Sequence, residues 1–318
     1  MERILEMDIV VVATSVAVMG IIIGIGALLA SQTTITIEVK QVLILIVLNI
    51  AVPAVILNGV FSTEVTEQLL NQVVIIFLIS LIFHLGALLL AWYFTRVFRF
   101  ESLLAKQVTI LAALGNTGFI GIPLCATIFG PVGGLLAAIF DAGLDLILFS
   151  VVIYMLQAGN GINIRQVLKS VINLPLIAVI IGLTTAFAGI NPPEFLKQLT
   201  GLLAGLAAPL AMLYLGMLLY ELFKGMQFTP YKQIWFPLSF RLLLLPLMTM
   251  GILSLTPLDD LIKSIVIILS AMPTFTLAAI LFARYTTDEK TAVVTIAFST
   301  LLSLLTIPLV AFVSAYFI

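Results

Sequence analysis

LGNTGFIGIPL, residues 114–124, lies in the middle of a long apolar run. Glycine and proline are poor helix formers, and an unsatisfied backbone amide in lipid costs several kcal/mol. A plain bilayer-crossing helix has no use for Gly115, Gly118, Gly121, an Asn116–Thr117 pair and Pro123 in so short a stretch. The segment therefore predicts an interrupted helix, and the rest of the chain says what the interruption is for.

Of the 318 residues, 62% are hydrophobic and 9% charged, with a mean hydropathy of +1.29. Average domains are about 25% charged, so the composition predicts an all-α polytopic membrane protein. The net charge of -1 gives no basic face for nucleic acid. Cys125 is the single cysteine, which excludes an internal disulfide and offers no metal cluster. Residues 1–7 are short, polar and acidic, and the apolar run after them is too long for a signal-peptide core, so the first span is expected to be retained.

Runs of about 20 apolar residues mark bilayer-crossing helices. The sequence predicts ten, at 8–30, 38–60, 70–95, 103–128, 132–157, 167–189, 197–222, 232–255, 260–284 and 290–316. The N-terminus and the loops after even-numbered spans hold three basic residues, Arg3, Lys197 and Lys263. The loops after odd-numbered spans hold ten: Lys40, Arg96, Arg99, Lys106, Arg165, Lys169, Lys224, Lys232, Arg284 and Lys290. Positive charge stays inside, so both termini are expected on the extracytoplasmic side of the cell membrane.

The ten spans read as two sets of five. AVPAVILNG at 51–59 and AAPLAMLYLG at 207–216 both set a proline about two turns before a glycine. Pro53 and Pro209 are 156 positions apart, Pro123 and Pro273 are 150 apart, and His84 and Arg241 are 157 apart. An odd number of spans per repeat inserts the second copy upside down, an arrangement frequent among secondary transporters. Residues 1–157 form the first repeat and 158–318 the second on this reading.

Matching Gly/Pro-interrupted segments in two repeat halves point to a transport site. GNTGFIGIP in span 4 answers to SAMPTFT, residues 270–276, in span 9. Two broken helices meeting near the midplane present free N–H groups and a partial positive charge, suited to an anion or one carboxylate of a substrate. Asn116 supplies an amide there, and Thr117 and Thr274 add hydroxyls. The blander reading is a packing face: Gly115, Gly118 and Gly121 lie three apart and would form a small-residue stripe on a helix.

LGNTGFIGIPL resembles the span-4 crossover of the auxin efflux carrier family. AVP at 51–53, AMLYLGMLL at 211–219, FRLLLLP at 240–246, AMPTFTLAAILFARY at 271–285, TAVV at 291–294 and STLLSLLTIP at 299–308 are similar to that family's signatures as well. The resemblance implies a ten-helix fold like that of bile-acid symporters and sodium/proton antiporters. In it spans 1, 2, 6 and 7 make a scaffold, and spans 3–5 and 8–10 a moving transport domain with helices 4 and 9 crossed at Pro123 and Pro273. It implies that Asn116 contacts a substrate carboxylate, with Thr117, Gly118, Pro123, Pro273 and Thr274 around it, and that two copies form a homodimer. The loop after span 5 is only about ten residues, unlike the long hydrophilic loop of many plant members. That favours a prokaryotic dicarboxylate such as malate over an aromatic monocarboxylate of the auxin type.

Charges inside the spans are costly and therefore informative. Asp141 and Asp145, spaced i, i+4, share one face of span 5. Two carboxylates that close resist holding two charges, so they are candidates for carrying a coupling H⁺ or Na⁺; the alternative is a static pairing with Arg241 or His84, or a water-filled pocket with no role in turnover. Arg241, roughly 13 Å inside span 8, suits the second acid group of a dicarboxylate, or a structural partner for one of the aspartates. His84 is the only histidine, and Asn49 and Asn58 flank Pro53; all three are candidates for lining a cavity or for packing. Trp92, Tyr93 and Trp235 fall near span ends as interfacial anchors. Asp288 and Glu289 open the last span as a cap. The phenylalanines show no clustered cage.

Other classes fit less well. An intramembrane aspartyl protease needs its aspartates on different helices, and one histidine without HExxH supports no hydrolase. No Gly-Lys pair exists to build a P-loop. A channel wants a continuous polar lumen, and a receptor wants a signalling appendage. The sequence predicts a secondary carrier of small organic anions, without a cofactor, that alternates access by an elevator motion; the alternatives are an aromatic-monocarboxylate carrier and a transporter-like receptor.

Overall fold

The computed structural model describes residues 9–63, 66–156, 173–225, 232–286 and 288–316. Arg3, Arg165 and Lys169 of the charge count, all of the segment between spans 5 and 6, and residues 167–172 of the expected span 6 lie outside those residues. All regular elements among the described residues are helical. The first half comprises α1 (Ile9–Gln32), α2 (Ile37–Ile46), α3 (Val52–Phe61), α4 (Glu67–Val97), α5 (Ser102–Ala113), α6 (Ile122–Ile147) and α7 (Ile153–Leu156). The second half comprises α8 (Leu174–Phe187), α9 (Glu194–Ala204), α10 (Ala207–Gly225), α11 (Trp235–Ser239), α12 (Leu245–Leu253), α13 (Asp260–Ser270), α14 (Leu277–Tyr285) and α15 (Glu289–Ser314).

Seven helical runs among the described residues are long and apolar enough to cross a bilayer. The remaining expected spans fall on shorter or broken pieces. α5 has 12 residues and α8 has 14, while α13 and α14 are separated by residues 271–276. The expected spans 4 and 5 share one run of 40 residues, Thr117–Leu156. Straight, it would measure about 60 Å, twice the hydrocarbon thickness. It is not straight. Gly130 has φ 71 and ψ -166, a conformation essentially reserved for glycine, and Pro131 opens the next helix, where a missing N–H costs nothing. A Cβ on Gly133 would lie 2.6 Å from the Cys125 carbonyl oxygen, and one on Gly134 2.9 Å from the Ala126 Cβ. Residues eight apart on a straight helix are about 12 Å apart, so the chain doubles back at Gly130.

Prolines inside the helices are accommodated by widening the turn before them. Five-residue π turns occupy Val47–Ala51, Thr117–Gly121 and Phe240–Leu244, two positions ahead of Pro53, Pro123 and Pro246. A proline lacks an N–H and clashes with the carbonyl four residues back; an i→i+5 turn moves that carbonyl aside. A fourth wide turn, Leu148–Val152, has no proline to explain it. Helix starts carry side-chain caps, with Thr66 accepting from Leu69 N at 3.2 Å and Asp288 from Thr291 N at 3.1 Å, as Asp288–Glu289 led one to expect.

α1 lies along α10 in close contact, because Gly26 meets the Leu213 backbone and Gly216 meets the Ile23 backbone with no room for a Cβ. α3 packs on α6, α8 and α9, and α4 packs on α5 and α6. Contrary to the sequence reading of the phenylalanines, Phe94, Phe98, Phe100, Phe236 and Phe240 do gather. Phe98, Phe100 and Phe236 border Trp235, whose ring centroid is 5.1 Å from that of Phe98, and Phe94 and Phe240 extend the group. They are dispersed in sequence and converge only when α4 meets α11.

A Cβ on Gly130 would touch nothing within 4 Å, so Gly130→Ala isolates the backbone cost. Its thermal unfolding in detergent should show a loss of about 1–3 kcal/mol. Gly86→Ala, also free of neighbours but inside α4, should instead gain about 0.5–1 kcal/mol.

Candidate functional site

The chain around Gly115 leaves α5 in extended form, and it meets the Pro273 segment side by side. Asn116 N–H donates to the Pro273 carbonyl at 2.7 Å, and Phe275 N–H to the Leu114 carbonyl at 3.3 Å. Gly115 and Thr274 thereby form a two-residue antiparallel bridge. The Thr274 hydroxyl donates to the Leu111 carbonyl at 3.1 Å, and its N–H to Ser299 Oγ at 3.1 Å. These bonds give the two broken segments partners that lipid does not offer. The crossing thus brings together Asn116, Thr117, Gly118, Pro273 and Thr274, with Pro123 buried one turn further on.

Arg241 completes the crossing. It is fully buried, on the wide turn before Pro246. Its Nε donates to the Met272 carbonyl at 2.7 Å, Nη1 to the Ala113 carbonyl at 2.9 Å and Nη2 to the Leu269 carbonyl at 3.2 Å. Those oxygens belong to the carbonyl ends of α5 and of α13 with the residues just beyond it. A cation there meets two helix C-terminal dipoles at once. Gly115 lies against the guanidinium with no space for a Cβ. Among the described residues Arg241 pairs with neither aspartate; the ion pairs found are Lys40–Glu221 and Lys263–Asp260.

The aspartates have separate partners. Thr117 Oγ1 donates to Asp141 Oδ1 at 2.5 Å. A Cβ on Gly118 would lie 2.8 Å from Asp141 Oδ2. Asp141 therefore faces the amino end of the helix that restarts after the break, the place reserved in the sequence reading for a substrate carboxylate. Asp145 Oδ2 accepts from Asn173 Nδ2 at 2.9 Å. Asn173 also caps α8 through Oδ1, accepting from Leu176 N at 2.9 Å. Sequence reasoning missed Asn173, although Asn-Leu-Pro is a helix-start signal; it also quoted Ser299 inside a motif without giving it a task.

The three glycines do not form one packing stripe. Gly115 meets Arg241, Gly118 meets Asp141, and Gly121 meets Leu269. They face three different helices because the break turns the chain between them.

Thr117, Thr274 and Arg241 are all engaged, whereas Asn116 is not. The residue is 5% exposed, and Nδ2 has no hydrogen-bond partner among the described residues. Nearby, a cavity of about 230 Å³ is lined by Asn58, Pro123, Thr127, Pro131 and Gly201. Asn58 lines a cavity, as the sequence suggested it could. Asn49 lies exposed on the wide turn Val47–Ala51, away from that cavity. His84 is packed rather than cavity-facing. It is fully buried against Phe83 and Phe140, and its Nδ1 donates to the Ser80 carbonyl at 2.8 Å on its own helix.

Removing Arg241 should loosen both halves together. Arg241→Gln strips a buried charge from three carbonyls and should cost about 3–5 kcal/mol in thermal or denaturant unfolding. Arg241→Lys should fall between it and the parent, because one ammonium cannot reproduce the planar fork.

Comparison with known proteins agrees with this architecture. The profile of the family described as Membrane transport protein matches residues 11–166 and 160–311. An uncharacterized transporter of Methanothermobacter thermautotrophicus is 28% identical over 264 residues, 83% of this chain and 85% of the relative. An uncharacterized transporter of Methanocaldococcus jannaschii is 26% identical over 313 residues, 96% of this chain and 97% of the relative. A broken-helix crossing inside an all-helical membrane protein, together with these matches, identifies the chain as a membrane transporter of the Membrane transport protein family, the auxin efflux carrier family.

Proposed function

We propose that the protein is a secondary carrier of small organic anions, a malate-like dicarboxylate first among them, and that it alternates access by an elevator motion. One observation supports the reading above the rest: the Asn116 amide is buried at the crossing with Nδ2 unpartnered. A buried donor left unmade costs about 1–3 kcal/mol, and a carboxylate oxygen accepting from it would recover that. Thr117 and Thr274 contribute by holding the crossing rather than by touching the solute.

Asp141 then gives a physical reason for coupling. It sits one residue along, hydrogen-bonded to Thr117. Two unit charges about 5 Å apart at an effective dielectric of about 20 repel by about 3 kcal/mol. That is roughly a hundred-fold in affinity. The anion binds when a proton neutralises Asp141, so the two travel together; a sodium ion between the carboxylates would serve the same end. Asp145, held by Asn173 at the start of α8, links the moving group to its neighbour.

The elevator reading divides the helices in two. α1–α3 and α8–α10 stand still, and α4–α7 and α11–α15 move. The 230 Å³ cavity has walls from both groups, Asn58 and Gly201 from the first and Pro123 and Pro131 from the second.

Uptake into proteoliposomes of a carboxylate panel, under separate pH and sodium gradients, tests the reading. Malate-like dicarboxylates should saturate and follow the pH gradient. Asn116→Ala should lower uptake at least about ten-fold. Asp141→Asn should keep anion exchange while losing the response to the pH gradient. Uptake of Asp141→Asn that still follows the gradient would overturn the coupling step, and preference for an aromatic monocarboxylate would overturn the substrate class.

A further inference from the structure

A second polar cavity, of about 600 Å³, opens where the ends of α3 and α8 meet the start of α9, lined by Ser62, Thr63, Thr185, Asn191 and Lys197. The carrier reading makes no use of it. Lys197 is half-buried and, among the described residues, makes no ion pair. Glu194, one turn earlier, is exposed and does not reach it. The neighbouring helix end adds little negative potential, because α8 closes on itself. Gly189, with φ 65, donates to the Ala186 carbonyl at 3.0 Å, and Ile190 N–H donates to the Thr185 carbonyl at 3.0 Å. This paired closure satisfies the last carbonyls of the helix. Thr185 Oγ1 donates back to the Gly182 carbonyl at 2.7 Å. Among the described residues that line the chamber, Lys197 is the charged one, beside the amino end of α9.

One hydrogen bond links a wall of this chamber to a wall of the 230 Å³ cavity beside Pro123. Ser62 lines the large space and donates from Oγ to Asn58 Oδ1 at 3.0 Å, and Asn58 lines the small one. That bond occupies the Asn58 oxygen and leaves its Nδ2 donors unengaged among the described residues. Gly201, one turn beyond Lys197, lies beside Asn58: a Cβ there would be 3.5 Å from the Asn58 oxygen, an ordinary contact. Lys197 and Ser62 line the larger space, and Asn58 and Pro123 the smaller one.

We infer that this chamber is a second, low-affinity anion site for small carboxylates at one mouth of the transport path, held by Lys197, with the Ser62–Asn58 pair as its threshold. Its place on a transport path rests on the carrier reading, but its preference for anions does not.

The test uses a single reporter thiol. Cys125 is fully buried, so Thr63→Cys in the full-length protein provides the accessible sulfur. Its modification rates are measured with an anionic sulfonatoethyl and a cationic trimethylammonioethyl methanethiosulfonate, in Lys197, Lys197→Gln and Lys197→Arg backgrounds. The anionic reagent should react faster with the parent. Lys197→Gln should lower the anion-to-cation rate ratio about ten-fold at low ionic strength and Lys197→Arg should preserve it, since exposed charge effects are screened by salt. Millimolar malate should slow the anionic reaction in the parent. A ratio unmoved by Lys197→Gln, or a thiol that neither reagent reaches, overturns the site. Malate uptake measured alongside separates the two readings. A ratio that shifts while the parent takes up no carboxylate sustains the chamber and sinks the carrier; normal uptake with an unmoved ratio does the reverse.

Discussion

A fully buried guanidinium gathers three carbonyl oxygens at the ends of two broken helical segments. Breaking a helix inside a bilayer exposes such oxygens, and hydrocarbon supplies no donor. Arg241 answers the carbonyl ends of both broken segments from a third helix, and the Gly115–Thr274 bridge answers part of what remains. The cost of burying the cation is met by charge-assisted bonds and by two convergent helix dipoles. The irregular backbone at Asn116 therefore persists because its surroundings are fully committed elsewhere. Among the described residues, the Asn116 amide is one of two buried side-chain amides, with Gln107, whose nitrogen lacks a hydrogen-bond partner, and it is the one at the break itself.

Charge is distributed around the crossing with consistent sign. The cation stands where helices end, and Asp141 stands where a helix begins again. The sequence reading allowed Arg241 to grip a substrate carboxylate or to pair with an aspartate. The geometry gives it instead to the backbone, while Asp141 takes the helix start through Thr117 and Gly118. Both strong charges at the crossing are thereby engaged with protein groups, and the neutral Asn116 amide lies in sequence between Ala113 and Thr117, to which they bond.

Much of this was legible in advance. Apolar run length pointed to the seven long apolar helical runs among the described residues, and the Gly/Pro clusters at 114–124 and 270–276 marked both breaks, because residues that disfavour helix leave a visible trace in composition. Asp288 announced itself as a cap for the same local reason. What stayed hidden is what arises only from convergence. Arg241 is 128 positions from the Ala113 carbonyl that it holds, and a carbonyl has no side-chain signature. The phenylalanines around Trp235 come from separate stretches. Asn173 lies 28 residues from Asp145 and reads by itself only as a helix start. The apparent stripe of Gly115, Gly118 and Gly121 misled because it assumed a continuous helix through the very place where the chain bends.

The reversal at Gly130 reaches beyond its own turn. No linker residues separate the two arms, and the packing of Gly133 and Gly134 onto Cys125 and Ala126 locks them into one stiff prong. Pro123 lies on one arm and Asp141 on the other. Any tilt imposed near the broken segment must arrive at the carboxylate undiluted, as the two ends of a tuning fork share one stem.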